Sequence, residues 1–220
     1  MRLPEDELAA LESASLLRRI PVADLSLTNF SSNDYLGLSI HPEIKKAYQD
    51  AIKKYGAGST ASRLICGTME PHLNLENAIA KAKGSEAALS FASGYSTSIG
   101  VITSLMGKGD IIILDKLCHA SLIDGARMSG ATMRIYPHNN LEKLESLLKS
   151  SIAKADAESR ILVITESVFS MDGDIAPLDT STQLSKKHEC LLMVDEAHAL
   201  GVMGPTGMGL AEELGIQDQI

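Results

Sequence analysis

What this sequence lacks narrows what it does. No apolar run approaches the ~20 residues that span a bilayer. No basic cluster is longer than a Lys or Arg pair, and the formal net charge is -8. Both facts argue against a nucleic-acid backbone as the main partner. The N-terminus, MRLPEDELAA, carries acids where a signal peptide needs a basic start and an apolar stretch. Cys66, Cys118 and Cys190 are an odd number with no C-x-x-C spacing. Reduced thiols in a cytoplasmic protein are the simplest reading. The sequence has no internal repeat and no low-complexity segment. Its end, ELGIQDQI, has no Gly or Pro stop signal and reads like a helix and loop on the way to a further strand. The sequence is therefore expected to be cut short.

What is present is enough for one core, or part of a larger one: 220 residues, 45% of them hydrophobic. HPEIKKAYQDAIKKYG, from His41, is the clearest helix, with Ile44, Ala47, Tyr48, Ala51, Ile52 and Tyr55 on one stripe. Pro42 suits its first turn and Gly56 the position past its end. A second helix covers Leu73–Lys83. Apolar runs of strand length follow at Ala87–Phe91, Ile111–Leu114, Met133–Tyr136, Ile161–Thr165 and Leu191–Val194. Between them come helices at Ser96–Met106, Ala120–Met128, Leu141–Ile152 and Leu178–His188. Continuous apolar strands separated by helices predict an α/β fold with a mostly parallel sheet covered on both faces. Residues 1–40 read as an arm plus a loop, and 41–220 as the main domain.

Ligands of open parallel sheets bind beyond the carboxyl ends of the strands. Four polar sets follow the strands: Ser93-Gly94-Tyr95, Asp115 with Cys118-His119, Glu166 to Asp174, and Asp195-Glu196-Ala197-His198. Each has a plain structural reading as a cap, a satisfied histidine or a surface turn. Asp195 resists it most, because a carboxylate ending a central strand must be paired. The letters DEAH also spell the magnesium-binding box of helicase-type ATPases. That reading needs an upstream G-x-x-x-x-G-K-[ST] loop, and Gly107-Lys108 is followed by Gly109. A G-x-G-x-x-G dinucleotide turn is missing too. Asp195, His198 and His119 could supply three metal ligands, an alternative that stays open at this point, although no metal is the expected reading.

Seven segments, in order, resemble the α-oxoamine synthases, fold type I enzymes that depend on pyridoxal 5'-phosphate (PLP). They are NFSSNDYLGL (29–38), YGAGSTASRLICGT (55–68), HLNLE (72–76), FASGY (91–95), HASLIDGARMSGA (119–131), TESVFSMDGDIAPL (165–178) and MVDEAHALGVMGPTGMG (193–209). The resemblance implies a PLP-binding large domain that condenses an amino acid with an acyl-CoA, as a homodimer. Asp195 would pair with the ring nitrogen, keeping it protonated. His119 would stack on the ring and contact the substrate carboxylate. Gly94 and Tyr95 would give backbone N–H groups to the phosphate, and Ser170 and His198 would lie near the phenolic oxygen. Asn33, and Arg19 or its neighbour Arg18, would face the substrate, and Glu166 would support from behind.

The family's Schiff-base lysine sits about thirty residues past the strand aspartate. This sequence ends short of it, and Lys108, Lys116, Lys186 and Lys187 have the wrong context. The chain by itself is therefore expected to be inactive. Within the family, NFSSNDYLGL and LRRIP lean toward the synthases of biotin biosynthesis, which join alanine to a pimeloyl thioester. SRLICGT is also similar to glycine C-acetyltransferases, and GPTGMGLAEE to serine palmitoyltransferases. A non-catalytic interaction module is the alternative of another class.

Overall fold

The computed structural model describes residues 3–24 and 26–220. They form two compact units, Met1–Asn33 and Asp34–Ile220. The first unit contains helix α1 (Pro4–Ser13), so the predicted arm is partly helical. Its proline lies in the first turn, together with Glu5, Asp6 and Glu7 at the positive end of the dipole.

The second unit is built on four strands: β1 (Ile111–Asp115), β2 (Thr132–Tyr136), β3 (Ile161–Glu166) and β4 (Leu191–Asp195). All pair in parallel, in the order β2-β1-β3-β4. The helices are α2 (Pro42–Tyr55), α3 (Glu70–Lys83), α4 (Gly94–Leu105), α5 (Ala120–Ser129), α6 (Leu141–Ile152), α7 (Leu178–Lys187) and the short α8 (Leu210–Glu213). Successive strand residues point to opposite faces. Ile112, Leu114, Leu162 and Ile164 meet Ile102 and Met106, at the end of α4, and Leu122 and Ala126 from α5. Ile111, Ile113, Ile161 and Val163 meet Leu144, Leu147 and Leu148 from α6. Both faces of β1 and β3 are covered, which is why their sequences are apolar without alternation.

Three expectations change. Ala87–Phe91 is not a strand: Leu89 is 66% exposed, and the N–H of Ser90 donates to Glu76 Oε1 (2.7 Å) rather than to a neighbouring strand. An apolar run becomes a strand only where a ladder partner lies beside it. The stripe on α2 is correctly periodic, yet Ile44, Tyr48 and Ile52 are exposed. Finally, β4 is an edge strand and not a central one.

α4 and α5 pack closely through Gly125. A Cβ there would lie 2.9 Å from Ile102 Cδ1 and 3.1 Å from the Ser98 carbonyl oxygen. One turn earlier, Ser121 Oγ donates to Ser98 Oγ (3.0 Å). Contacting pairs advance together along both helices, so the helices run in the same sense. Their N-termini therefore share one end of the layer.

Candidate active site

Each acid expected just beyond a strand is the last residue of that strand: Asp115 on β1, Glu166 on β3 and Asp195 on β4. Glu166 and Asp195 are register partners, and register partners in parallel strands project to the same face. Glu166 is buried, and Oε1 accepts the backbone N–H of His119. It also accepts from the backbone of Ser170. Burial pushes its carboxyl from 4.5 up to about 7, against the pull of the His119 N–H, and the charges of Asp195 and Asp115 add to the rise. One carboxyl thus joins the start of α5 to the turn after β3, beside Asp195.

Asp195 is half-buried, less than a central-strand position would make it, because β4 has a neighbour on one side only. Its Oδ1 accepts from Ala197 N–H (2.9 Å). Glu196 is structural: it pairs with Lys83 Nζ and caps α8 through Ala211 N–H (3.0 Å).

His119 is the exposed N-cap of α5. The Ser121 N–H donates to its Nδ1 (3.2 Å). A backbone N–H can only donate, so a neutral ring carries its proton on Nε2. At the start of α4, Ser93 Oγ caps Ser96 N–H (3.1 Å). The N–H groups of Gly94 and Tyr95 come earlier in the turn and have no intrahelical acceptor. A Cβ on Gly94 would meet nothing within 4 Å, so space is open there. The Tyr95 hydroxyl donates to Asp124 Oδ2 (2.8 Å), which raises the phenol above its usual range.

A pocket of about 220 Å³ brings Ser170 and His198 together, lined also by Tyr35, Val168, Phe169 and Gly173. Tyr35 Oη and His198 Nδ1 are 2.5 Å apart. Arg19 and Asn33 belong to the first unit, where Arg19 Nη2 pairs with Glu12 Oε1 (2.8 Å). Among the described residues, no three His, Cys, Asp or Glu are grouped to hold a metal ion. His119, Asp195 and His198 therefore do not form the metal set left open by the sequence.

The sequence did not point to Tyr35, to the Arg63–Glu76 pair or to His138. Tyr35, Arg63 and Glu76 lie inside the segments of resemblance, and that was their only signal. Arg63 holds Glu76, and together with the Ser90 N–H and hydroxyl it brings the Glu76 carboxyl down to about 2.

The architecture, a parallel sheet with carboxylates and helix N-termini at one edge, fits what the comparisons give. Residues 26–216 match the model of the aminotransferase class I and II family, and the chain belongs to that family. Among curated proteins it is 45% identical to an 8-amino-7-oxononanoate synthase of Citrifermentans bemidjiense, over 98% of this chain and 57% of that protein. It is 48% identical to the same synthase of Geobacter sulfurreducens, over 86% of this chain and 47% of that protein. Among solved structures, a serine palmitoyltransferase of S. paucimobilis with bound PLP–myriocin has a TM-score of 0.81 at 37% identity, covering 86% of this chain and 47% of that one. An 8-amino-7-oxononanoate synthase of Francisella tularensis has a TM-score of 0.72 at 32% identity, covering 88% and 52%. The chain spans about half the length of the curated relatives it matches.

Proposed function

We propose that this chain carries PLP-binding residues of a synthase that condenses alanine with a pimeloyl thioester. The products are 8-amino-7-oxononanoate, CO2 and the free thiol. The observation that carries the reading is the convergence of Asp195, His119 and the start of α4 at one end of a parallel α/β layer. The names of the curated relatives supply the product, 8-amino-7-oxononanoate, and the family resemblance supplies alanine and the pimeloyl thioester.

The donor set fits a flat, phosphorylated, cationic ring. The uncapped N–H groups of Gly94 and Tyr95, with open space above Gly94, suit a phosphate. The Asp195 carboxylate suits a protonated ring nitrogen. His119 would lie against the ring face, and its Nε2–H would be the donor toward a substrate carboxylate. Ser170 and His198, which share a pocket, would hold the phenolic oxygen, and Tyr35 orients His198. Glu166 keeps the backbones of His119 and Ser170 in place. Arg19 and Asn33 are assigned to the substrate side. When bound, PLP supplies an electron sink that stabilises negative charge on the substrate carbon.

Residues 41–220 are taken as the cofactor-binding domain and 1–40 as its arm. A homodimer fits the exposed Leu64 and Ile65. Among the described residues no helix is long and apolar enough to cross a membrane. The cytoplasm is the proposed location. A serine palmitoyltransferase-like activity is the second reading, favoured among solved structures by the TM-score of 0.81 against 0.72, and opposed by an identity of 37% against 45% for the curated synthase.

Binding is tested by titrating PLP into the chain and its Asp195→Ala variant. The variant should bind roughly tenfold more weakly, the effect of losing one charge-assisted contact. Equal affinities would refute the assignment of Asp195. Substrate is tested on the whole protein with alanine, glycine and serine against pimeloyl and palmitoyl thioesters. Preference for serine with palmitoyl thioester would replace the first reading by the second.

A further inference from the structure

We propose that His138 is a positioning residue that clamps the 169–174 turn, and with it Ser170, to the edge of the sheet by donating from both ring nitrogens to two carboxylates. His138 follows β2. Its Nδ1 lies 2.9 Å from Asp115 Oδ1, at the end of β1, and its Nε2 lies 2.6 Å from Asp174 Oδ2, in the turn after β3. Those elements are far apart in sequence, and the imidazole bridges them. Its neighbour Asn139 reinforces both ends: its N–H donates to Asp115 Oδ2 (2.8 Å) and its side-chain amide to Asp174 Oδ2 (2.9 Å). Among the described residues Asp174 Oδ1 is buried and meets no donor. The turn's carboxylate is therefore held through Oδ2 alone, the atom that His138 and Asn139 reach.

The same turn builds the pocket of Ser170 and His198. Phe169 stands edge-on to His138, with ring centroids 4.4 Å apart, and Phe169, Ser170 and Gly173 line the pocket. The turn closes on itself through Phe169 N–H to the Asp174 carbonyl (3.0 Å) and Gly173 N–H to the Phe169 carbonyl (2.9 Å). Its anchorage to the β1–β2 end of the sheet runs through Asp174.

Two carboxylates accept and do not donate, so both contacts are satisfied only by an imidazolium. A neutral ring has one N–H and must face one carboxylate with a lone pair. The charged groups facing His138 are Asp115 from β1 and Asp174 from the turn. Burial pulls the His138 ring down, but its bonds to the two carboxylates outweigh it and raise the ring above 6.5. The clamp is therefore whole below the ordinary histidine range and lost as pH rises through the raised value of the folded protein.

The clamp stands on its own geometry. Only its consequence for cofactor contact by Ser170 rests on the proposed function. The test needs no PLP, so the two can fail separately. Hydrogen exchange of the Phe169, Gly173 and Ala176 amides is followed from about pH 5 to about pH 9, beside the NMR titration of the His138 ring. Wild-type protection at these amides should fall about tenfold as the ring titrates, the loss of one charge-assisted bond. In His138→Gln, which does not titrate, protection should be low and independent of pH, while β1 and β3 stay protected. Protection that ignores both pH and the substitution overturns the proposal. So does equal loss in β1 and β3, which would mean a general role in folding. If His138→Gln does not fold, the titration is repeated in Glu166→Gln, which removes the other group that titrates near 7 against this turn: a fall in protection that persists supports the clamp, and one that vanishes overturns it.

Discussion

Replacing Glu166 with Gln should stabilise the chain in a pH-dependent way. The glutamate sits at the end of β3 with its side chain buried, beside Asp195. Gln keeps an oxygen to accept the His119 N–H and removes the charge. Burial is the largest cause of the rise from 4.5 to about 7, and Asp195 and Asp115 contribute to it. The folded protein therefore holds this proton more tightly than the unfolded chain. The stability from the protonated carboxyl is fully present below pH 4.5 and is lost as pH rises to about 7. Converting that displacement at 1.36 kcal/mol per pH unit gives a cost of about 3 kcal/mol above neutrality. Glu166→Gln should then match wild type near pH 4.5 and exceed it by up to about 3 kcal/mol near pH 8. Urea unfolding of both proteins across that range measures the difference. A gap that does not change with pH would show that Glu166 ionises in the fold as it does in the unfolded chain. A variant less stable than wild type at every pH would show that the two backbone N–H bonds, not burial, dominate.

Two further substitutions test the framework that carries the site. Gly125→Val forces a branched side chain against the Ser98 carbonyl, which is backbone and cannot swing aside. Overpacking should cost about 1–3 kcal/mol despite a helix-propensity gain over glycine, read as a lower urea midpoint, and wild-type stability would mean that α4 and α5 separate freely. Leu144→Ala empties a fully buried position between α6 and the sheet. It should cost about 2–5 kcal/mol in the same assay, and a loss well under that range would place Leu144 outside the cooperative core.

The sequence alone determined most of the scaffold, because the signals it uses are local. The stretches IIILD and ILVIT are apolar on both faces and became the two central strands. Helices α2 to α7 fall within a few residues of where apolar period, Pro and Gly predicted them. Three of the four polar sets follow observed strands and were legible for the same reason: a parallel sheet gathers strand ends at one edge. The fourth, Ser93-Gly94-Tyr95, follows a run that is not a strand and sits instead at the start of α4. The tertiary structure decided what neighbours decide. Ala87–Phe91 has a strand's composition, but Glu76 takes the Ser90 N–H, and among the described residues no strand pairs with it. Asp195 looked buried because LLMV precedes it, yet β4 lies at the sheet edge and leaves it half-buried. The bonds from His138 to Asp115 and Asp174 cross 23 and 36 residues, and no local pattern marks such a meeting. The displaced Glu166 carboxyl is likewise a product of burial and of Asp195 beside it in the register, and both exist only once the strands have paired.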